Sequence, residues 1–570
     1  MSSKASFLLR RQLRRINNHQ KVLQRRHRAT ISASLEDMQP SIATEPVIPD
    51  LVRHPKSYKQ LPSAKGVPLL GTLPEFLAQG GVENLHKYIT KRHQELGGIF
   101  RENLAGKDLV YVSDPGIIRN VFANEGQYPK HIIPEAWLLY NQDRKINRGL
   151  FFMEDEEWQS NRRILNRLML RPDAIRPHFA SFGEVADCLV HHWTTSYSDN
   201  IVPNIEKELY RWAIESLGVM IFGNRLGFLS QSRSSPPKTS YFRTSEMETF
   251  ISAIHGIFKE TCALGTFPPA LARTLKLPVW TRFVETCDRA LAAGQKLVLY
   301  GLESSKERLQ RGEEPVSLLD HFIMREQMRQ EDVIRLLTDL FLAAADTTSH
   351  TAIWSLYLLG RHPQAVEKAR QEIQSATEGS GTISGEHLFS MPYLKGVIKE
   401  ALRLYPVAPF LTRALDKDTL LGGHMVPRGT MVIISAYTTG RNAAHFPNPH
   451  QFAPERWLRE ASDNANDSIS TVSDTSSSSS CPFSSSSKSN EARTPSTRLH
   501  SHAFIPFGVG SRSCIGRRIA ETQLYMLLAK LIANSDFQSV NEVDMTMRMV
   551  GVTSEPLQLR INSAKNVKNR

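Results

Sequence analysis

A mainly α-helical protein with a smaller β subdomain is what this sequence predicts, and three observations carry that prediction. Apolar residues recur at helical spacing through most of residues 155–410. Short β-like pieces occur only near 98–114 (GIFRENLAG, DLVYVSD) and in TLLGGHMVPRGTMVIISAY at 419–437, where turn signals at GG and PRG predict hairpins beside the helices. At 41% hydrophobic and 22% charged, the 570 residues carry enough apolar material for a large core, as one large domain or several average ones.

The chain opens with nine Lys or Arg and no acid in residues 1–35, interleaved with Ser, Leu and Ile and lacking an apolar stretch. That is the pattern of a mitochondrial presequence, assigned to residues 1–36, rather than a secretory signal. The alternative is a solvated basic tail, or an arm for nucleic acid or anionic lipid. The leader's nine charges leave only +4 of the net +13 for the remainder, which argues against a nucleic-acid partner. No run of 18 apolar residues occurs, so any membrane contact is expected to be peripheral.

A Pro-rich lead-in follows at 37–60, and residues 61–570 are expected to form the folded catalytic domain. Within it, residues 461–500 hold 15 serines in 40 positions and too little apolar surface to offset ordering, so a disordered insertion is expected there. Five widely spaced cysteines without a CxxC pair fit a reducing compartment better than a disulfide framework. Cys188, Cys262 and Cys287 read as small buried hydrophobes, and Cys481 as an exposed thiol inside the Ser-rich segment.

Cys514 is different. It stands in FGVGSRSCIG, where Gly508, Gly510 and Gly516 let the backbone turn tightly and come close to a flat cofactor. The run after it reads as a helix, so the sulfur sits near a helix N-terminus, where the macrodipole and free amides favour the anion. Arg512 on the same loop can neutralise a cofactor carboxylate. The complete F-x-x-G-x-R-x-C-x-G pattern, Phe507 to Gly516, resembles the haem-binding loop of a cytochrome P-450. The resemblance implies the cytochrome P-450 fold, a haem cofactor and Cys514 as thiolate ligand of its iron.

Further signatures of that family stand where the resemblance requires them. KEALR supplies E-x-x-R as Glu400 and Arg403, and FAPERW supplies Arg456, together the family's structural charge cluster. In DLFLAAADTTSHTAIWSLYLL, Asp346 and Thr347 match its oxygen-activating acid–alcohol pair, with Ala344 in place of the common glycine. An acid and an alcohol in an apolar helix need hydrogen bonds to be buried, and often mark where protons are handled. A hydroxyl merely bonded back to a helix carbonyl is the alternative. Trp158 and Arg162, one turn apart, and Arg413 match positions that hold the haem propionates; each is otherwise a solvated cation or a packed ring.

An Arg-rich leader in place of a membrane anchor is similar to the mitochondrial members of the family, as are Lys395 and Lys399 at i,i+4 and the Arg517–Arg518 pair. Such a basic rim would steer an acidic iron–sulfur ferredoxin, itself reduced by an NADPH-dependent reductase. The implied reaction inserts one atom of O₂ into a lipophilic substrate, on the matrix side of the inner mitochondrial membrane. The walls are expected from 130–150, 225–265, the helix before Asp346, 407–412 with Phe410 and Leu411 (core packing being an equal alternative for these two), and the VGVTSEP turn; mostly apolar, they suit a steroid. The stretch from about 340 to 460 is most similar to arthropod mitochondrial members of the Shadow type, implying hydroxylation of an ecdysteroid precursor at carbon 2. The rival expectations are a mitochondrial detoxifying monooxygenase of xenobiotics and a haem-thiolate ligand-binding or sensor protein.

Overall fold

The computed structural model describes residues 55–197, 199–229, 244–265, 267–324, 328–458 and 500–563. The basic leader, the lead-in as far as residue 54, and the Ser-rich segment up to residue 499 with Cys481 lie outside the described residues.

The principal elements in chain order are α1 (Leu85–Leu96), β1 (Ile99–Leu104), β2 (Lys107–Val112), α2 (Pro115–Ala123), α3 (Asp155–Met169), α4 (Phe179–Thr195), α5 (Ile205–Phe222) and α6 (Thr244–Leu264). They continue with α7 (Pro278–Gln310), α8 (Gln330–Arg361), α9 (Pro363–Ala376), α10 (Pro392–Leu404), β3 (Phe410–Ala414), β4 (Thr419–Leu421), β5 (His424–Val426), β6 (Met431–Ser435), α11 (Arg517–Asn534), β7 (Met545–Arg548) and β8 (Val550–Thr553). Helix, with small sheets, is the predicted class.

Local chemistry sets many of the helix ends. Asp114 caps α2 by accepting the Ile117 amide at 2.8 Å, with Pro115 at the first helical position. Asn204 caps α5 through the Lys207 amide, and Gly223 closes it in the left-handed region. Prolines 363 and 392 open α9 and α10.

Helix α8 threads the core. Its residues 348–360 are buried without interruption, against α5, α7, α10 and α11. A helix buried on all sides must satisfy its own hydroxyls, and it does: Ser349, Thr351 and Ser355 each donate to the carbonyl four residues earlier, at 2.6–2.8 Å.

The main sheet has the order β1-β2-β6-β3. The GG turn makes the predicted hairpin of β4 and β5, Gly422 and Gly423 both taking positive φ as a two-residue turn demands. The rest of the 419–437 expectation needs correction. Strand β6 forms no hairpin with its neighbour β5; it lies parallel to β2 (Val110 opposite Val432) and antiparallel to β3 (Arg413 opposite Val432). Val432 and Ile434 thereby join Val110, Val112, Ile118 and Val121 in one small core. That burial selects the parallel register, which no tight turn could connect.

The expected charge cluster forms completely. Arg403 makes a two-pronged bond to Glu400, Nη2 to Oε1 at 2.7 Å and Nε to Oε2 at 2.9 Å, both side chains fully buried. Arg403 spends its other N–H groups on the carbonyls of Gly440, Pro449 and Gln451. Glu400 also receives Arg456 at 3.3 Å, the Ala453 amide, and the Trp457 indole N–H at 2.9 Å, a partner the motif did not disclose. The pair thus ties α10 to residues 440–457.

Glu400→Ala would strand a buried guanidinium, at a cost of about 3–5 kcal/mol. Urea denaturation monitored by circular dichroism should show a midpoint lowered accordingly, whereas exposed Lys368→Ala should leave it nearly unmoved.

Candidate active site around Cys514

Loop residues 505–516 fold back on themselves through Gly508 N–H to Ile505 O (3.0 Å), Ser513 N–H to Gly510 O (3.1 Å) and Cys514 N–H to Phe507 O (2.8 Å). Gly508 and Gly510 sit at φ +69° and +78°, where side chains are rarely tolerated. Gly516 does not turn the chain; it is the N-cap of α11 at φ −85°, and its bare Cα faces the cavity beside Cys514.

The cavity encloses about 310 Å³ between this loop, α8, β3 and α11. Leu340, Ala343, Ala344 and Leu217 give it an apolar wall; Thr347, Thr348 and Thr351 place hydroxyls along α8. Strand alternation decides what β3 offers: Leu411 and Arg413 face the cavity, while Phe410 packs against both the main core and the small cluster of Phe76, Tyr88, Ile89, Phe100 and Tyr111. Of the two expectations for Phe410, wall or core, the structure shows core packing. Among the described residues, the expected segments 130–150 and 225–265 and the VGVTSEP turn contribute no lining residue either.

Cys514 is open only towards the cavity, with protein around the sulfur on its other sides. Burial pushes its thiol up, and the Gly516 amide, Arg162 and Arg517 oppose that without reversing it. A thiol so placed becomes a thiolate by binding a metal.

Asp346 and Thr347 point to different sides of α8. The Thr347 hydroxyl lines the cavity and donates to Ala343 O at 2.9 Å. The Asp346 carboxyl is 2% exposed, turned towards α5, where one oxygen accepts the Tyr210 hydroxyl; burial raises its pKa. No bond joins the two side chains.

Three arginines gather at the loop. Arg413 is clamped by buried Glu125, Nε to Oε2 at 2.6 Å, and Glu125 also lies under Gly510 and Ser511. Arg512 lies over the Trp158 ring at 4.2 Å and donates to the carbonyls of Pro129 and Met153. Arg162 reaches Ser513 Oγ at 3.4 Å, and its Nε is buried with no partner among the described residues. Burial and mutual repulsion lower the Arg512 pKa to about 10, and the same pair, Arg413 and Arg512, helps hold His131 at about 4. This is a site short of negative charge, and an unpaired buried N–H suits an anionic group such as a carboxylate. The motifs supplied every member except Glu125 and His131, which lie in the segment QYPKHII and its approach, with no recognisable pattern.

Lys395, Lys399, Arg517 and Arg518 border one surface depression, although more than a hundred residues separate the two pairs. Phe389, 56% exposed, lies in the same depression, and Lys395 Nζ donates to its carbonyl at 3.1 Å.

This cavity and loop define a class. Residues 61–562 match the family described as Cytochrome P450, a family of haem-thiolate enzymes. The chain belongs to that family and is a monooxygenase. It is similar to "Cytochrome P450 315a1, mitochondrial" of Drosophila melanogaster, 35% identical with 88% of each chain covered. The rat mitochondrial 1,25-dihydroxyvitamin D(3) 24-hydroxylase is 28% identical, covering 89% of each chain. The mitochondrial cholesterol side-chain cleavage enzyme of Oncorhynchus mykiss is also 28% identical, covering 87% of this chain and 89% of its own. Among the described residues no helix is long and apolar enough to cross a membrane.

Gly510→Ala should be the more damaging of two loop substitutions. A Cβ there would meet Glu125 Oε1 at 2.2 Å, whereas one at Gly508 finds nothing nearer than 3.8 Å. Backbone strain alone costs each about 1–2 kcal/mol; urea titration of the two variants should separate them by the added clash.

Proposed function

We propose that this monooxygenase hydroxylates a steroid in mitochondria, most specifically an ecdysteroid precursor at carbon 2, with electrons from an acidic iron–sulfur ferredoxin and its NADPH-dependent reductase. The observation that carries the reading is the cavity itself: a lone cysteine opposite an apolar helix face, with cations at its rim. The printed names of the vitamin D and cholesterol relatives support a sterol-like substrate, and their being named mitochondrial supports the location, as does the Arg-rich leader. The ecdysteroid assignment rests on the resemblance of residues 340–460 to the Shadow type.

Bound haem supplies the capacity to activate O₂. Cys514 holds its iron, and Arg413, Arg512 and Arg162 balance its propionates, with Trp158 bracing Arg512. Phe507, Gly508 and Gly516 leave the flat face of the loop open to the ring. Ala344 leaves room on α8 for O₂. The Thr347 hydroxyl, moving off the Ala343 carbonyl, passes a proton into the cavity, and Asp346, one residue back on α8, reloads it by turning from Tyr210. Leu217, Leu340 and Leu411 exclude water around the substrate.

The basic depression at Lys395, Lys399, Arg517 and Arg518 receives the ferredoxin, its charges steering the encounter and Phe389 adding an apolar contact. Peripheral contact with the inner membrane is supported by Val67, Leu69 and Leu70, three exposed aliphatic side chains in a row of four.

Reconstituted with ferredoxin and reductase, the protein should turn one sterol precursor into one hydroxylated product by mass spectrometry; comparable turnover of unrelated xenobiotics would favour a detoxifying enzyme, and binding without any product a sensor. Cys514→Ser should abolish the long-wavelength Soret absorption of the ferrous carbon-monoxide complex. Lys395→Glu with Lys399→Glu should slow reduction by ferredoxin ~10-fold at low ionic strength, a deficit that shrinks as salt screens the wild type too.

A further inference from the structure

The side of Asp346 that faces away from the cavity opens on a polar cluster contributed by four elements. Asp346 and His350 lie one turn apart on α8, and Glu206 and Tyr210 one turn apart on α5. His255 comes from α6 and Arg548 from β7. Glu206 Oε1 is 3.1 Å from His255 Nδ1 and 3.8 Å from His350 Nε2. Arg548 Nη1 lies 3.1 Å from the other ring nitrogen of His255, which fixes Nδ1 as the protonated one, aimed at Glu206.

Three atoms in this cluster, Asp346 Oδ2, His350 Nδ1 and Glu206 Oε1, are buried with no hydrogen bond among the described residues, and the Asp346 and His350 side chains are each only 2% exposed. A buried acceptor left bare costs about 1–3 kcal/mol, and polar pockets of this kind hold ordered water. A water between the Asp346 and His350 atoms would satisfy both. At the other end of the cluster Glu206 is 24% and His255 34% exposed, so the cluster runs from solvent to the fully buried acid. The hydroxyl of Tyr210 pins one oxygen of Asp346 and leaves the second facing this water. Burial pushes the Glu206 pKa up, and His255, His350 and Arg548 outweigh it, so the carboxylate stands ionised and hands on any proton it takes up.

We propose that Glu206, His350 and the water between His350 and Asp346 are the path by which solvent protons reach Asp346, with His255 and Arg548 orienting its outer end. Hydroxylation consumes two protons with two electrons: R–H, O₂, 2 e⁻ and 2 H⁺ become R–OH and H₂O, the electrons coming from the ferredoxin assigned above. Each proton enters at Glu206, passes to His350 Nε2 while the Nδ1 proton leaves to water, and arrives at Asp346 Oδ2. Reorientation of the ring and water restores the starting state. This route rests on the reading of Asp346 as the acid behind Thr347.

The test uses the haem-loaded full chain with Glu206→Gln, His350→Gln and Asp346→Asn, each accepted as folded by an unchanged carbon-monoxide spectrum and substrate-binding shift. Product formed per NADPH should fall about tenfold in Glu206→Gln and His350→Gln, as loss of a positioned proton carrier predicts, with a larger solvent deuterium isotope effect than the wild type. Uncoupling in Asp346→Asn alone overturns the route and leaves the acid in place; wild-type coupling in Asp346→Asn overturns both. A high-resolution crystal structure gives a readout independent of turnover: ordered water bonded to Asp346 Oδ2 and His350 Nδ1 supports the path, and a dry contact there refutes it.

Discussion

The contact between Glu400 and Arg403 is the constraint on which the rest of the site depends. Two opposite charges are taken wholly out of water on one turn of α10, and each must find every hydrogen bond it gives up. Arg403 recovers them from three backbone carbonyls between residues 440 and 451, a stretch with little regular structure of its own. Glu400 recovers them from Arg456, Trp457 and the Ala453 amide. The irregular chain from 440 to 457 therefore has its path dictated by a desolvated ion pair instead of a ladder. Gly396 lies close against Pro454 O, so α10 and this chain are also packed backbone to backbone.

Helix α8 then divides labour by angle. Successive residues are about 100° apart, so neighbours serve different compartments: Thr347 and Ala344 look into the cavity, Asp346 and His350 into the polar cluster beside α5. A buried helix with back-bonded hydroxyls has no exposed face to waste, and both of its active sides are polar where the surrounding helices supply partners. On the opposite wall β3 does the same with a period of two, Arg413 and Leu411 inward and Phe410 outward. The clamp of Glu125 on Arg413 holds that cation ready while keeping its charge from adding unopposed to Arg162 and Arg512.

Local patterns were legible in the sequence; the partners that tertiary structure brings to them were not. Cys514 with Gly508 and Gly510, Glu400 with Arg403, and the Trp158–Arg162 turn are short-range spacings that the chain displays directly. Trp457, Glu125 and Tyr210 escaped because nothing near them in sequence announces a buried partner far along the chain. Whether Phe410 was wall or core stayed open in the sequence because a strand's inward face is set by register, which β6 fixes from outside the segment.

The central place of β6 in the main sheet has a price during synthesis. Strand β2 emerges from the ribosome early, yet its second neighbour, Met431–Ser435, follows only after helices α2 to α10 have been translated. Until then the hairpin of β1 and β2 presents a bare edge of amides and carbonyls, with Val110 and Val112 uncovered, to any other nascent chain. Such a topology calls for a chaperone that shields the early hairpin until its late partner arrives.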